Sequence, residues 1–463
     1  MFYDIIDIMN SKIHGKPIVR FAPSPTGTMH LGAARTALFN YLFAKKHGGK
    51  MILRIEDTDR ERSKKEYEDD IKEGMSWLGI SFDEEYRQSD RGEIYKKYLE
   101  QMIENGSAYV SKEEVGEEDA KEGKRSEVIR FKNPNKKIKF HDVVRGDIEF
   151  DTKELSDFVV AKDMETPLYH LAVVVDDFES GITHIIRGED HISNTPRQIL
   201  IQEAIGAESP QYAHIPLILA PDRSKLSKRH GALSVLEYRE RGYLPEAVVN
   251  FMALIGWNPG GEREVFLLKD LVKEFSLEKV QKSGAIFNEE KLNWINKEHI
   301  KLLPKMELTK KLFEYVPEKT KNIKGFNNDM LEKVTPIILE RINVFSEIED
   351  GFLTGEWDYF FISPQYEINK IVWKDSNKDN TSRHLEKILE ILENLKDKKW
   401  NAGDIKDALW KYASEEGRGD VLWPMRYALS GKDKSPDPFT LAEVLGKEET
   451  SRRINEAVAK LKG

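Results

Sequence analysis

Ile18-Val19-Arg20-Phe21-Ala22-Pro23-Ser24-Pro25-Thr26-Gly27-Thr28-Met29-His30-Leu31-Gly32 runs from an apolar strand, through a Pro/Gly turn, into the start of a helix. Ile18 to Ala22 reads as a short buried strand, and two prolines with a glycine break it. From Leu31 to Lys46 the residues Leu31, Ala34, Leu38, Tyr41 and Leu42 share one helical face. Gly48-Gly49 closes that helix as a C-cap. Met51 to Ile55 is a second apolar strand. A strand, a helix and a strand in this order predict parallel pairing with a right-handed crossover.

Working outward, residues 64–104 read as helical, with a turn near 79–85. Residues 111–125 carry only Val115 and Ala120 as apolar side chains, which predicts an exposed loop or helix. Strand-like pieces follow at 127–131, 147–150, 158–161, 168–175 and 183–187. A helix over 195–207, with Asn194 or Thr195 as its cap, precedes a strand at 215–220. The β-α alternation thus resumes after an insertion of roughly 75 residues. Beyond 237 the pattern turns helical, with short helices at 244–256, 267–275 and 288–294. From 304 to 463 it reads as amphipathic helices without strands, such as 384–395 and 402–412.

The 463 residues predict about three domains, each able to bury its own core. Hydrophobic residues are 39% and charged residues 33%, ordinary for a soluble protein. The net charge of -9 argues against a wholly basic nucleic-acid binder, although 72 Lys and Arg can still gather on one face. With no cysteine, disulfides and thiolate metal sites are excluded. The N-terminus lacks the basic region and cleavage site of a signal peptide, and no apolar run approaches the ~20 residues of a membrane span. A cytoplasmic protein with no membrane association is expected.

Two segments carry chemistry. A helix beginning near His30 presents free N–H groups and the positive end of its dipole, which suits a polyphosphate. His30 can donate to phosphate oxygens as charge builds, and Gly32 leaves room for a flat base. The plainer alternative is a strand-turn-helix with one surface histidine. The second segment is Lys225-Leu226-Ser227-Lys228-Arg229-His230-Gly231. Lys225 and Lys228 can grip a triphosphate, with Ser227 adding a hydroxyl. Its plainer alternative is a solvated basic loop.

Together, in this order and with a sheet between them, the segments resemble the paired nucleotide-binding motifs of class I aminoacyl-tRNA synthetases. His30-Leu31-Gly32-Ala33 stands for the "HIGH" element and Lys225-Leu226-Ser227-Lys228-Arg229 for "KMSKS". APSPTG before HLG, RIEDTDRER (54–62), YHLAVVVDD (169–177) and IIRGEDHISNTPRQ (185–198) are similar to glutamyl-tRNA synthetases in particular. So are KLSKRHGALSV (225–235), GYLPEAVVNFMALIGW (242–257) and FNEEKLNWIN (287–296). The likeness is strong to about residue 300 and looser after, where MRYALSG (425–431) returns to it.

The resemblance implies an α/β chain: a Rossmann-type catalytic domain with an α+β insertion, then an all-α anticodon-binding region. The implied boundaries are an extension (1–16), a first catalytic half (17–96), an insertion for the tRNA acceptor end (97–168) and a second catalytic half (169–236). A stem-contact helical domain (237–303) and the anticodon-binding region (304–463) complete it. The implied substrates are ATP with Mg²⁺, L-glutamate and tRNA(Glu), handled by a monomer. His30, Lys225 and Lys228 take the catalytic role; Thr26, Gly27, His30, Gly32, Ser227 and Lys228 hold ATP. Arg20, Ala22, Ser24, Glu56, Tyr169 and Arg187 hold glutamate, since Arg matches a carboxylate with a planar fork and Glu56 suits the ammonium. Structural readings stay open: Arg20 and Arg187 as partners of Glu56, Glu189 or Asp190, and Glu56 as a helix-start acid.

Some positions depart from the family pattern. Many relatives carry a Cys/His zinc site after the position of Ala108-Tyr109, and this chain has no cysteine, so no zinc is expected. Ala33, Leu226 and Arg229 vary the two signature motifs, and His191 stands where some relatives have tryptophan. His170, His184, His191 and His214 read as satisfied structural histidines rather than metal ligands, and Asp176-Asp177 as a turn cap. Competing readings are a glutaminyl-tRNA synthetase, a truncated paralogue that modifies a tRNA base, a small nucleotidyltransferase and a non-enzymatic tRNA binder. The strand-poor C-terminal region and the intact Lys, His and Arg set argue against them.

Overall fold

A computed structural model describes residues 15–113, 127–226, 229, 233–323, 325–396 and 399–463. The stretch 114–126, most of the polar run discussed above, lies outside the described residues, as do Ser227, Lys228 and His230. The chain divides into two compact units, Met1–His299 and Ile300–Gly463.

In the first unit, β1 (Ile18–Phe21) pairs in parallel with β2 (Lys50–Ile55), with the helix Leu31–Lys46 between them. That helix ends as expected, with Gly48 at φ +64°. Gly49 is required for another reason: a Cβ there would lie 2.1 Å from the Pro17 carbonyl oxygen. A third parallel strand, β3 (Glu84–Arg87), pairs with β2 inside the stretch expected to be helices and a turn. It is a polar edge strand, so it lacks the apolar alternation that marks a strand in sequence.

The stretch expected to be an insertion carries β4 (Ala108–Lys112), β5 (Glu127–Phe131), β6 (Lys137–Asp142), β7 (Gly146–Asp151), β8 (Phe158–Asp163) and β9 (Thr166–Pro167). Four of these form one antiparallel sheet in the order β4-β5-β8-β9. The hairpin β6-β7 goes elsewhere. It joins β10 (His184–Gly188) and β11 (Gln211–Ile215) in a sheet ordered β10-β11-β6-β7. The β11–β6 link is the pair Tyr212↔Asp142. Thr183 N–H donates to the Ile18 carbonyl (2.9 Å) and Ile18 N–H to Thr183 Oγ1 (3.0 Å), so β10 starts beside β1. Asn40, buried on the first helix, donates to the Ile186 carbonyl (3.0 Å) and ties that helix to β10.

A further expectation is overturned. Residues 168–175 are not strands: Tyr169–Glu179 is a helix. Leu171 through Asp177 are all buried, so the helix is covered on every side. A helix without a solvent face loses its 3.6-residue period, and its run of valines then imitates a buried strand. The 215–220 strand is also divided, into the end of β11 and β12 (Ile218–Leu219), which pairs with β13 (Ala285–Ile286).

The second unit is helical among its described residues. Asn327, Asn377, Asn401 and Asp437 cap the helices Asn328–Arg341, Lys378–Glu393, Ala402–Glu416 and Pro438–Leu445, each accepting a first-turn backbone N–H. Buried Arg453 donates to the carbonyls of Tyr359 (2.7 Å) and Leu429 (2.6 Å), crosslinking three segments. No described helix is long and apolar enough to cross a membrane.

Candidate active site

β1 ends at the turn 22–29, which is pinned from outside: Glu56 N–H donates to Pro23 O and Lys64 N–H to Pro25 O, both at 3.0 Å. His30 is the N-cap of the helix Leu31–Lys46, and its Nδ1 accepts from Ala33 N–H (3.2 Å). That bond makes Nδ1 the acceptor, so in the neutral ring the hydrogen sits on Nε2. The cavity walls around the ring, with Lys225 beside them, hold its pKa below the ordinary imidazole value. A neutral His30 thus carries a donor at the helix N-terminus. Gly32 keeps it there, because a Cβ would come within 3.1 Å of the His30 ring.

The basic loop returns to this point. Met29 O accepts from Val235 N–H (2.9 Å), and Lys225 Nζ sits 3.0 Å from Asp190 Oδ2. Both groups of that pair are exposed, so it contributes little to stability and leaves Lys225 free to change partner.

Deeper in, Arg20 and Arg54 share one carboxylate. Asp177 Oδ1 accepts from Arg20 Nε (3.1 Å) and Arg54 Nη1 (2.6 Å). Arg54 also donates to Glu56 (3.1 Å). All four side chains are buried. Burial pushes against the Asp177 charge, but the two guanidiniums outweigh it and hold its pKa below the usual carboxylate value. Glu56 goes the other way, raised by burial against the pull of Arg54. Asp176 anchors the other side, accepting from Gln88 (2.8 Å), Arg91 (2.7 Å) and Tyr95 (2.9 Å). Asp176-Asp177 is therefore a helical pair holding arginines, not a turn cap.

Arg187, on β10, is 6% exposed. Its Nε donates to His214 Nε2 (3.1 Å) and its Nη2 to Thr195 Oγ1 (2.9 Å), while Nη1 has no partner. Burial, joined by the like charge of Arg20, pulls its pKa below the usual guanidinium value. The alternative partners weighed for Arg20 and Arg187 bond elsewhere: Glu56 with Arg54, Glu189 with Arg145 and Asp190 with Lys225.

One cavity of about 550 Å³ collects these groups. Its wall includes Arg20, Ala22, Ser24, Thr26, Gly27, His30, Gly32, Glu56, Tyr169, Arg187 and Lys225. The size suits a nucleotide-scale ligand. The wall thus combines a helix N-terminus, His30 and Lys225 with two buried guanidiniums.

The comparisons agree in direction. Residues 17–119 and 110–294 match the family described as tRNA synthetases class I (E and Q), catalytic domain, and residues 306–458 match an anticodon binding domain. The chain is 41% identical to a glutamate–tRNA ligase of Caldanaerobacter subterraneus, over 95% of this chain and 97% of that one. It is 42% identical to one of Carboxydothermus hydrogenoformans, over 94% and 98%. The chain belongs to the glutamate–tRNA ligase family. A solved glutamate–tRNA ligase of Elizabethkingia meningosepticum, in complex with its amino acid, superposes with a TM-score of 0.83. It is 33% identical, over 96% of this chain and 100% of that one. The glutamate–tRNA ligases are aminoacyl-tRNA ligases of class I, and the fold here is theirs: an α/β unit and a helical unit.

For a glutamate–tRNA ligase, the sequence motifs locate the cavity wall but miss its supports. Arg54 and Asp177 lie inside the quoted motifs and Asp142 outside them, but only packing shows that they bond to wall residues or to their supports. Of the histidines, His184 bonds Thr183 (2.8 Å) and His214 bonds Asp142 (2.6 Å), but buried His170 Nδ1 has no partner, contrary to expectation. No group of three or more His, Asp or Glu able to hold a metal occurs among the described residues.

These histidines make folding sensitive to acid. Burial holds the pKa of His170, His184 and His191 at about 4, against 6.5 for a free imidazole. Between these values the unfolded chain binds more protons than the folded one, so stability is full above 6.5 and falls as pH drops toward 4. Urea midpoints of the first unit are expected to fall between pH 7 and pH 5, before most carboxylates titrate. Equal midpoints at both values would contradict neutral burial.

Proposed function

We propose that this chain activates L-glutamate with ATP in the 550 Å³ cavity and transfers it to the terminal adenosine of tRNA(Glu). The observation that carries this reading is the pair of buried arginines, Arg20 and Arg187, lining the same cavity as the helix N-terminus at His30. Arg187, its pKa lowered by burial and by the like charge of Arg20, has no carboxylate partner among the described residues and calls for an anion. The side-chain carboxylate of glutamate is such an anion, with Tyr169 as a further donor and Glu56 for the ammonium. Ala22 and Ser24 line the same cavity.

The α-carboxylate of glutamate then attacks the α-phosphate of ATP in line, and pyrophosphate leaves. A ribose hydroxyl of the tRNA terminal adenosine next takes the glutamyl group and AMP departs. Such phosphoryl chemistry depends on positioning and charge stabilisation. Thr26, Gly27 and Gly32 shape the nucleotide seat. His30 Nε2–H, Lys225, Lys228 and Ser227 meet the phosphates, and Lys228 and His30 stabilise the charge that develops. Mg²⁺ enters as part of the ATP substrate, held mainly by phosphates and water. The carboxylate paired with Lys225 on the wall, Asp190, is one donor and not a cage. Trp410 and Trp423 in the helical unit lie under Arg418 (4.5 Å) and Arg426 (4.7 Å), a surface type on which bases stack. A cytoplasmic monomer belongs to the same reading.

Labelled glutamate and glutamine, supplied with ATP and Mg²⁺ to separate tRNAs for Glu and Gln, test this. Glutamate on tRNA(Glu) alone supports a discriminating enzyme, and glutamate on both tRNAs a dual one. Glutamine uptake, or no charging, overturns the reading. Lys228→Ala is expected to slow adenylate formation about 100- to 1000-fold, as when one transition-state donor is removed. Near-normal turnover would take Lys228 out of the catalytic set.

A further inference from the structure

Arg187 reaches the cavity from β10, but what aims it comes from the stretch expected to be an insertion. Asp142 ends β6, and its Oδ1 accepts the backbone N–H of Val144 (3.0 Å) and Arg145 (2.8 Å). Its Oδ2 accepts His214 N–H (3.0 Å) and faces His214 Nδ1 at 2.6 Å. Asp142 and His214 are both 0% exposed. A carboxylate that already accepts from three N–H groups acts as an acceptor toward the imidazole, so His214 Nδ1 carries the hydrogen. In the neutral ring, Nε2 is then a lone pair. That lone pair accepts Arg187 Nε–H at 3.1 Å, and Thr195 Oγ1 accepts from Nη2 at 2.9 Å. One edge of the guanidinium is held, Nη1 is buried without a partner, and the side chain as a whole lines the cavity.

We infer that Asp142 and His214 are positioning residues that fix the His214 tautomer and so set the orientation of the Arg187 guanidinium for the side-chain carboxylate of glutamate. This rests on the proposed glutamate site. The physical reason is directional. If the imidazole carried its hydrogen on Nε2, two donors would face each other at 3.1 Å and Arg187 would have to turn. A turned guanidinium loses its planar match to a carboxylate, and its advantage over the neutral amide of glutamine shrinks. The logic is that of a carboxylate that sets the working tautomer of a histidine in a hydrolase triad. Here the oriented group is an arginine and the consequence is binding, so Asp142 and His214 touch no reacting atom.

The test compares the full chain with Asp142→Asn, His214→Gln and His214→Phe in steady-state aminoacylation of saturating tRNA(Glu). The Asn amide offers a donor where Oδ2 accepted, which drives the hydrogen to Nε2. Asp142→Asn and His214→Phe are expected to raise the KM for glutamate about 10- to 100-fold, with the KM for ATP within about twofold. His214→Gln keeps a donor and an acceptor about as far apart as the ring nitrogens, and is expected to recover most of the loss. A merely structural role would move both KM values, or neither, and would not be rescued by Gln. Nitrogen-15 histidine spectra of the unmodified chain give a check that no variant can spoil. They should show His214 protonated at Nδ1 alone. A hydrogen at Nε2, or an unchanged glutamate KM in folded Asp142→Asn, overturns the inference. An unmodified chain that charges no glutamate fails the proposed function instead.

Discussion

Replacing Arg187 by leucine is expected to raise the KM for glutamate by roughly 10²–10³-fold while the KM for ATP stays within about threefold. Arg187 lines the cavity and its Nη1 has no partner inside the fold, while Nε and Nη2 bond His214 and Thr195, so leucine gives up those two internal bonds as well as the contact to ligand. Truncating one member of a buried, hydrogen-bonded charge pair costs about 2–5 kcal/mol, because the other charge is left desolvated and alone. In this case the stranded charge is the ligand's, so the cost falls on glutamate binding. The proposed nucleotide contacts are made by different residues, His30 and Lys225, and should not register it. Leucine fills most of the volume, and removing a guanidinium crowded by Arg20 relieves like-charge repulsion, so the chain should fold. Steady-state aminoacylation at varied glutamate and varied ATP separates the two constants. A shift in both by the same factor would mean that Arg187 supports the cavity as a whole.

Asp177→Ala is expected to destabilise the first unit by roughly 3–5 kcal/mol, the cost of breaking a buried ion pair from one side. Its carboxylate is 4% exposed and is shared by Arg20 and Arg54. Without it Arg54 keeps Glu56 at 3.1 Å, but Arg20 loses its ion-pair partner. Asp177→Asn keeps the shape and an acceptor oxygen, and should cost less than Ala. Because the chain has two units, a single melting temperature is ambiguous. Native-state hydrogen exchange read over 18–21 and 50–55 reports the right unit. A loss under about 1 kcal/mol would mean that Arg20 and Arg54 find other partners or water.

What was legible in the sequence follows from how local each signal is. The strand-turn-helix at 18–46 was readable because its parts are adjacent: an apolar strand, a Pro/Gly turn, and a helix closed by Gly48-Gly49. The motif residues were readable for the same reason, since each sits on one of two short segments or at a strand end. The helix Tyr169–Glu179 was misread because full burial erased the period by which a helix is recognised. β3 was missed because an exposed edge leaves no apolar pattern.

By itself, the sequence determined the parallel β-α-β unit, the helical C-terminal region, and the cavity-wall residues His30, Arg20, Arg187, Glu56 and Tyr169. Only the tertiary structure decided what holds them. Asp177 meets Arg20 across 157 positions, and Asp142 meets His214 across 72. A carboxylate's bonding partner is set by where the chain brings it, and no local pattern of charge or period encodes a contact made at that separation.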